Sequence, residues 1–160
     1  MKSKLHFVLI LIFGVISFSF GQETGFPKPV GFVNDFENLL SIEEVTKLET
    51  LLIDYEKQTS NEIVIITISE IANGTNFNDY ALDLANNWAV GKIGKDNGLM
   101  IVISNKLRSV RICTGIGLEK ILTDEICDKI LQENMISNFK NGEIYTGIKS
   151  GINALIEKLK

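Results

Sequence analysis

Asp96 and Asn97 are the residues whose types and position suggest chemistry most directly. They lie in the stretch GKIGKDNGLMIV and directly precede Gly98 and an apolar block with the character of a buried strand. Asp, Asn and Gly are common turn residues, so the stretch is typical of a tight turn. Carboxylate and amide oxygens are also the ligands that hard cations such as calcium prefer. Both interpretations, a turn and one wall of a cation site, stay open on this stretch alone.

Hairpin pairing predicts which loop lies beside these two residues. The runs GLMIVIS and RSVRICT are separated by a short loop and are typical of two antiparallel strands. If Ser104 pairs near Arg108, then Asp96 lies opposite Ile116. The predicted turn at Asp96 is therefore expected beside the loop at residues 115–117.

Two further carboxylates follow that loop in GIGLEKILTD, namely Glu119 and Asp124. Together with Asp96 and Asn97 they would form an acidic cluster that needs either solvent or a cation to relieve its repulsion. Each also has an ordinary alternative: Asp124 would suit a helix N-terminus, and Glu119 would suit a solvated loop. The cluster as a whole favours a hard cation, with calcium as the expected ion.

Two arginines on the predicted third strand, Arg108 and Arg111, could hold an anion or a substrate phosphate. The alternative is that they pair with nearby acids at a solvated strand end. No Asp-x-Asp nucleophile motif occurs in the sequence. A metal-dependent phosphatase is therefore the second hypothesis, after a cation-binding module that meets a protein partner, and a scaffold without metal is the third.

The first 21 residues, Met1–Gly21, have the layout of a secretory signal peptide: two lysines, an uncharged run, then small residues before the expected cleavage site. Cleavage would remove His6, the single histidine, and with it the basis for a Ser-His-Asp or Cys-His site. It would also remove two lysines and no acid, so the net charge of −4 would become two units more negative. That acidic balance argues against nucleic acid as a partner. We expect an exported, periplasmic or extracellular monomer that is soluble and has no transmembrane segment after cleavage.

The rest of the chain, residues 22–160, is predicted to form one domain. Residues 22–40 have the composition of an extended N-terminal arm, and the two cysteines, Cys113 and Cys127, are expected to be buried and unpaired. Four amphipathic helices and three strands alternate in an order that predicts a three-layer α/β/α sandwich with a small mixed sheet, made of a parallel pair and an antiparallel hairpin. The expected strands are 62–68, 98–104 and 108–114, and the helices begin after Ser41, after the loop that ends in Asn73-Gly74, after Thr123 and after Asn141-Gly142.

The same residues resemble the TPM domain family. The most specific similarities are WAVGKIGKDNG and GIGLEKILTD, and the similarity extends from FPKPVGFVND to NGEIYTGIKSGINAL without large gaps. The resemblance implies an α/β/α fold and divalent-metal binding, with calcium foremost. It implies phosphatase activity for some members and roles in membrane-associated assembly or repair for others. It assigns the metal region to Asp96, Asn97, Glu119, Asp124 and Asp35, and Asp35 is assigned by the resemblance alone. Unlike many members, this sequence shows no transmembrane helix or Gly/Ser-rich tail after the domain.

Overall fold

The fold was analysed in a computed structural model that describes residues 25–72 and 74–160. The proposed signal peptide Met1–Gly21 lies outside the described residues. The strands are β1 (Val33–Asp35), β2 (Glu62–Thr67), β3 (Gly98–Ser104) and β4 (Ser109–Thr114). The helices are α1 (Ile42–Thr59), α2 (Phe77–Trp88), α3 (Asp124–Ile130), α4 (Ser137–Lys140) and α5 (Ile144–Lys158), and a π-helical segment, Leu131–Ile136, joins α3 to α4. Within these residues, no helix is both long and apolar enough to span a bilayer.

Four strands form one mixed sheet in the order β1-β2-β3-β4. β1 is parallel to β2, β2 is parallel to β3, and β3 pairs with β4 in an antiparallel hairpin. The α/β sandwich with a mixed sheet is therefore confirmed. The prediction lacked β1, because its three residues are too few to show strand periodicity and lie in the range that was predicted as an extended arm.

The hairpin register differs from the predicted one by a single residue. Ser104 pairs with Ser109, and Leu99 pairs with Thr114. The backbone N–H of Gly117 donates to the Asp96 carbonyl at 3.0 Å, so Asp96 lies opposite Gly117 and not opposite Ile116. The prediction was wrong by one position because the turn holds four residues, and loop length sets hairpin register.

Helices cover both faces of the sheet and complete three layers. One face, with Ile63 and Ile65 of β2, packs against α1, α3 and α5. The other face, with Val64 and Ile66, packs against α2. Alternate side chains of a strand point to opposite faces, so an apolar strand such as β2 requires cover on both sides.

The two cysteines are free and buried, as predicted, and they lie on opposite faces of the sheet. Burial raises the pKa of the Cys113 thiol. Burial, with a smaller contribution from Asp124, raises the pKa of Cys127 from 9.0 to about 11. The folded protein therefore favours the protonated thiol at position 127.

This pKa predicts a loss of stability in mild alkali. The Cys127 contribution to the free energy of unfolding is present in full below pH 9 and is lost as the pH rises towards about 11, because the unfolded thiol ionises first. Urea unfolding at several pH values should show a shallower alkaline decline in Cys127→Ala than in the wild type. Identical declines in the two proteins would contradict this assignment.

Candidate functional site

A surface cleft of about 490 Å³ lies at the end of the sheet where β3 begins. We call it the 96–119 cleft. Its walls are the C-terminal half of α2, the loop from α2 to β3, and the loop that follows β4. The lining residues are Leu82, Ala85, Asn86, Ala89, Val90, Gly91, Lys92, Ile93, Gly94, Asp96, Thr114, Gly115, Ile116 and Glu119.

Two glycines allow the two loops of the cleft to touch. The N–H of Gly115 donates to the Gly98 carbonyl at 2.8 Å, which continues the β3–β4 ladder beyond the strands. A Cβ at Gly115 would lie 2.2 Å from the Asp96 carbonyl oxygen, and a Cβ at Gly117 would lie 2.1 Å from that of Lys95. Real Cβ atoms do not approach this closely, so the backbones meet only because both residues are glycine.

Glu119 is held at the surface by its neighbours in the chain. Leu118 and Leu122 are almost fully buried and anchor the loop to the core, with backbone bonds from Leu118 N to Gly115 O and from Leu122 N to Leu118 O. Glu119 lies between these two anchors, is exposed, and lines the cleft together with Asp96. The structure therefore brings together two of the predicted carboxylates that are 23 positions apart in the sequence.

The two lysines that precede Asp96 in the 91–97 loop, Lys92 and Lys95, bond to groups other than Asp96. The Lys92 ammonium pairs with Glu56 and lies 3.7 Å from Glu62, and the hydrogen bond that it donates to Glu56 raises the pKa of Lys92. The ammonium of Lys95 donates to Ser60 Oγ at 3.0 Å. In the part of the chain that the structure describes, neither Asp96 nor Glu119 forms an ion pair. Both carboxylates are therefore without an ion-pair partner among these residues, although Lys92 also lines the cleft.

Asn97, a predicted ligand, has a different role. Its side chain is buried, and its Oδ1 accepts from the Lys92 backbone N–H at 2.9 Å. Its Nδ2 donates to the Ser60 carbonyl at 2.7 Å and to Asn61 Oδ1 at 3.1 Å. The amide fastens the 91–97 loop to the end of α1, and its side chain does not line the cleft.

Two other predicted ligands do not line the cleft. Asp124 is exposed in the first turn of α3, directly after the N-cap Thr123. Asp35 lies at the opposite end of the sheet. It pairs with Thr67, and Thr67 pairs with Ile103, which is roughly 17 Å along β3 from Gly98 at the cleft. Its carboxylate accepts from the Thr67 hydroxyl and from two backbone N–H groups, those of residues 39 and 40.

The two arginines are also absent from the cleft lining. Arg108 is exposed in the β3–β4 turn with a φ of 50°, at the end of the sheet away from the cleft. Arg111 projects from β4 towards α2, where its guanidinium donates to the Asn78 carbonyl. Within one molecule, neither arginine is placed beside Asp96 and Glu119.

A family model described as the TPM domain matches residues 33–158, which is most of the chain. This chain belongs to the TPM domain family. No curated protein is significantly similar to it.

Three of the solved structures that are similar to this chain show the same fold. The chain is 30% identical to the N-terminal domain of a P. gingivalis protein, with a TM-score of 0.72, covering 80% of this chain and 81% of that one. It is 23% identical to the BA42 protein of Bizionia argentinensis, with a TM-score of 0.67 and coverage of 78% and 83%. It is 13% identical to the N-terminal domain of cg2496 from Corynebacterium glutamicum, with a TM-score of 0.62 and coverage of 83% for both chains.

The cleft of this TPM domain also contains uncharged polar residues and an apolar rim that were not predicted from the sequence. Asn86 and Thr114 place an amide and a hydroxyl in the lining, and the rim has three exposed apolar side chains: Leu82 (43% exposed), Ile93 (105%) and Ile116 (74%). One signal was present in the sequence, because Leu82 is apolar yet lies outside the buried stripe of α2.

The arrangement is a two-carboxylate site supplemented by neutral oxygens. Within residues 25–72 and 74–160, no group of three or more His, Cys, Asp or Glu side chains is arranged to hold a metal ion. The oxygens of carboxylates, amides, hydroxyls and backbone carbonyls are hard donors. Hard cations are the ions that bind to such oxygen ligands.

Proposed function

We propose that this TPM domain is an exported divalent-cation-binding module, with calcium as its ion and Asp96 and Glu119 as its charged ligands. The observation that supports it is the shared cleft: two carboxylates distant in sequence line one surface depression. The ammonium groups of Lys92 and Lys95 bond to Glu56 and Ser60 and not to these carboxylates. Calcium would relieve the repulsion between the two carboxylates, and Asn86, Thr114 and water would complete a shell of six to eight oxygens.

The cation is proposed to order the loops on both sides of the cleft and to present their apolar rim to a protein partner. The rim residues Leu82, Ile93 and Ile116 are exposed apolar groups around an acidic centre, and such surfaces mark interaction sites. We do not extend the proposal to phosphatase activity, because neither Arg108 nor Arg111 lines the cleft, and no observation favours hydrolysis.

Calcium titration of the metal-stripped protein tests the cation site. Saturable binding by calorimetry is expected, with a rise in melting temperature that corresponds to about 2.7 kcal/mol when calcium reaches 100 times its dissociation constant. Asp96→Asn and Glu119→Gln should each remove most of this rise, because each deletes one of the two charged ligands.

The matched controls are three substitutions that leave the cleft carboxylates in place. Asp35→Asn, Asp124→Asn and the exposed Asp54→Asn should each keep the calcium-induced rise, although Asp35→Asn lowers the starting stability. An unchanged melt in saturating calcium would overturn the proposal, as would a full rise in the Asp96→Asn/Glu119→Gln double variant.

A further inference from the structure

β4 is an edge strand whose outer backbone groups are unpaired. Because Gly115 N donates to Gly98 O, the alternation of an antiparallel ladder turns the N–H and C=O groups of Val110, Ile112 and Thr114 away from β3. Among the described residues these six groups have no hydrogen-bond partner. They form a ladder that is ready to accept another strand.

The edge of β4 lacks the usual protection against pairing. Its sequence, SVRICT, has no proline or lysine, and its single charged side chain, Arg111, is turned back onto the Asn78 carbonyl. The opposite edge of the sheet is β1, which has only three residues, and very short edge strands are poor templates for pairing.

The two ends of β4 have complementary surfaces. Beyond its N-terminal end are the exposed Leu107 (41% exposed) and the cationic Arg108. Beyond its C-terminal end are Ile116, which is 74% exposed, and the cleft carboxylates Asp96 and Glu119. The first end also carries Glu37 and Glu70, which bind the β3–β4 turn, and the second end also carries the exposed Lys120. The opposite charges that would meet across the pairing are those of Arg108 and of the two cleft carboxylates.

We propose that two copies of this chain pair antiparallel through β4, about a two-fold axis at Ile112, so that Arg108 of each copy enters the 96–119 cleft of the other. The three residues with outward backbone groups are spaced symmetrically about Ile112. Val110 of one copy therefore pairs with Thr114 of the other, and Ile112 pairs with its own counterpart. The same register puts Arg108 level with Ile116 of the second copy.

A second copy fits this edge because its surface is self-complementary under that two-fold rotation. Antiparallel pairing brings Arg108 to the acidic cleft twice in each dimer and keeps the like-charged clefts apart at opposite ends. Such an isologous contact closes on itself as a dimer. Each cleft then contains a cation from the partner copy, so Arg108 and calcium compete for Asp96 and Glu119, and the dimer is proposed for the calcium-free protein.

Charge reversal tests the register directly. Sedimentation equilibrium of the full chain in EDTA, from about 1 µM to about 1 mM, is expected to show a reversible monomer–dimer equilibrium. Arg108→Glu should weaken dimerisation about 100-fold, since it replaces two attractive contacts by repulsive ones, and Glu119→Arg should weaken it less, because Asp96 stays in each cleft. Both residues are exposed, so the monomer fold should be retained, as far-UV circular dichroism can verify.

The double variant Arg108→Glu/Glu119→Arg provides the decisive comparison. It should recover most of the lost dimer affinity, because the exchanged charges meet again, and a merely structural role would not produce this rescue. A monomer at all concentrations would overturn the proposal, as would a dimer indifferent to both single variants or a double variant as weak as the singles. The dimer is measured in EDTA, without calcium, whereas the calcium proposal is tested by the rise in melting temperature. Failure of one proposal can therefore be distinguished from failure of the other.

Discussion

Asn97→Asp is expected to lower the free energy of unfolding by about 3 kcal/mol. The substitution replaces the Nδ2 donor by an oxygen that faces the Ser60 carbonyl and Asn61 Oδ1, formerly its acceptors at 2.7 and 3.1 Å. The new carboxylate is buried beside two acceptors and loses both hydrogen bonds. Urea unfolding at neutral pH measures the loss. The loss should shrink in acid, because a protonated carboxyl can donate to Ser60 again.

This variant separates a structural amide from a metal ligand. If Asn97 were a calcium ligand, the added negative charge would tighten calcium binding and the stability would recover in saturating calcium. We expect no such recovery. Asn153→Asp, at an exposed position of α5, is the matched control and should change stability by less than about 0.5 kcal/mol. An equal effect in the two variants would contradict the role assigned to Asn97.

Gly115→Ala is expected to destabilise the domain by about 3 kcal/mol and to weaken calcium binding as well. The added Cβ would lie 2.2 Å from the Asp96 carbonyl oxygen and 2.8 Å from its carbon, and backbone atoms cannot yield as a flexible side chain would. The two loops must separate, which breaks the bond from Gly115 N to Gly98 O and moves Asp96 relative to Glu119.

Urea unfolding and calcium titration of the same Gly115→Ala sample measure both effects. Gly25→Ala is the control, because a Cβ at Gly25 meets no atom within 4 Å, and its stability should stay within about 0.5 kcal/mol of the wild type. A wild-type unfolding midpoint for Gly115→Ala would show that the contact between the loops does not hold the cleft together.

The candidate site was predictable only where strand pairing brings residues together. Asp96 and Glu119 could be placed near one another because the hairpin sets their relative position, even with a register that was wrong by one residue. The hydrogen bonds of Asn97 could not be predicted from sequence, because its partners, Ser60 and Asn61, lie at the far end of another helix. An amide looks the same in sequence whether it fastens two loops or faces a cation.

Asp35 shows the same limit over a longer distance. Its type suits a ligand, but the parallel pairing of β1 with β2 carries it to the end of the sheet opposite Asp96. That placement depends on how β1 pairs in the sheet. A strand of three residues is too short for its apolar pattern to predict this pairing.

The local sequence patterns by themselves were sufficient to predict most helices and strands of this domain. Apolar periodicity located α1, α2, α5 and the three longer strands, and Ser41, after which the first helix was predicted to begin, forms a capping box with Glu44 at the start of α1. Composition also determined that a continuously apolar strand such as β2 needs cover on both faces. These features depend on residues close in sequence, so a single sequence contains them.

The tertiary structure alone decided the layers and the cleft. Right-handed crossovers from β1 to β2 and from β2 to β3 would place α1 and α2 on one face, yet the two helices lie on opposite faces, so the two crossovers have opposite hands. Packing of the whole chain makes that choice, because both apolar faces of the sheet must be covered at once. The cleft follows from it, since α2 reaches the end of β3 only from the face that α1 leaves free.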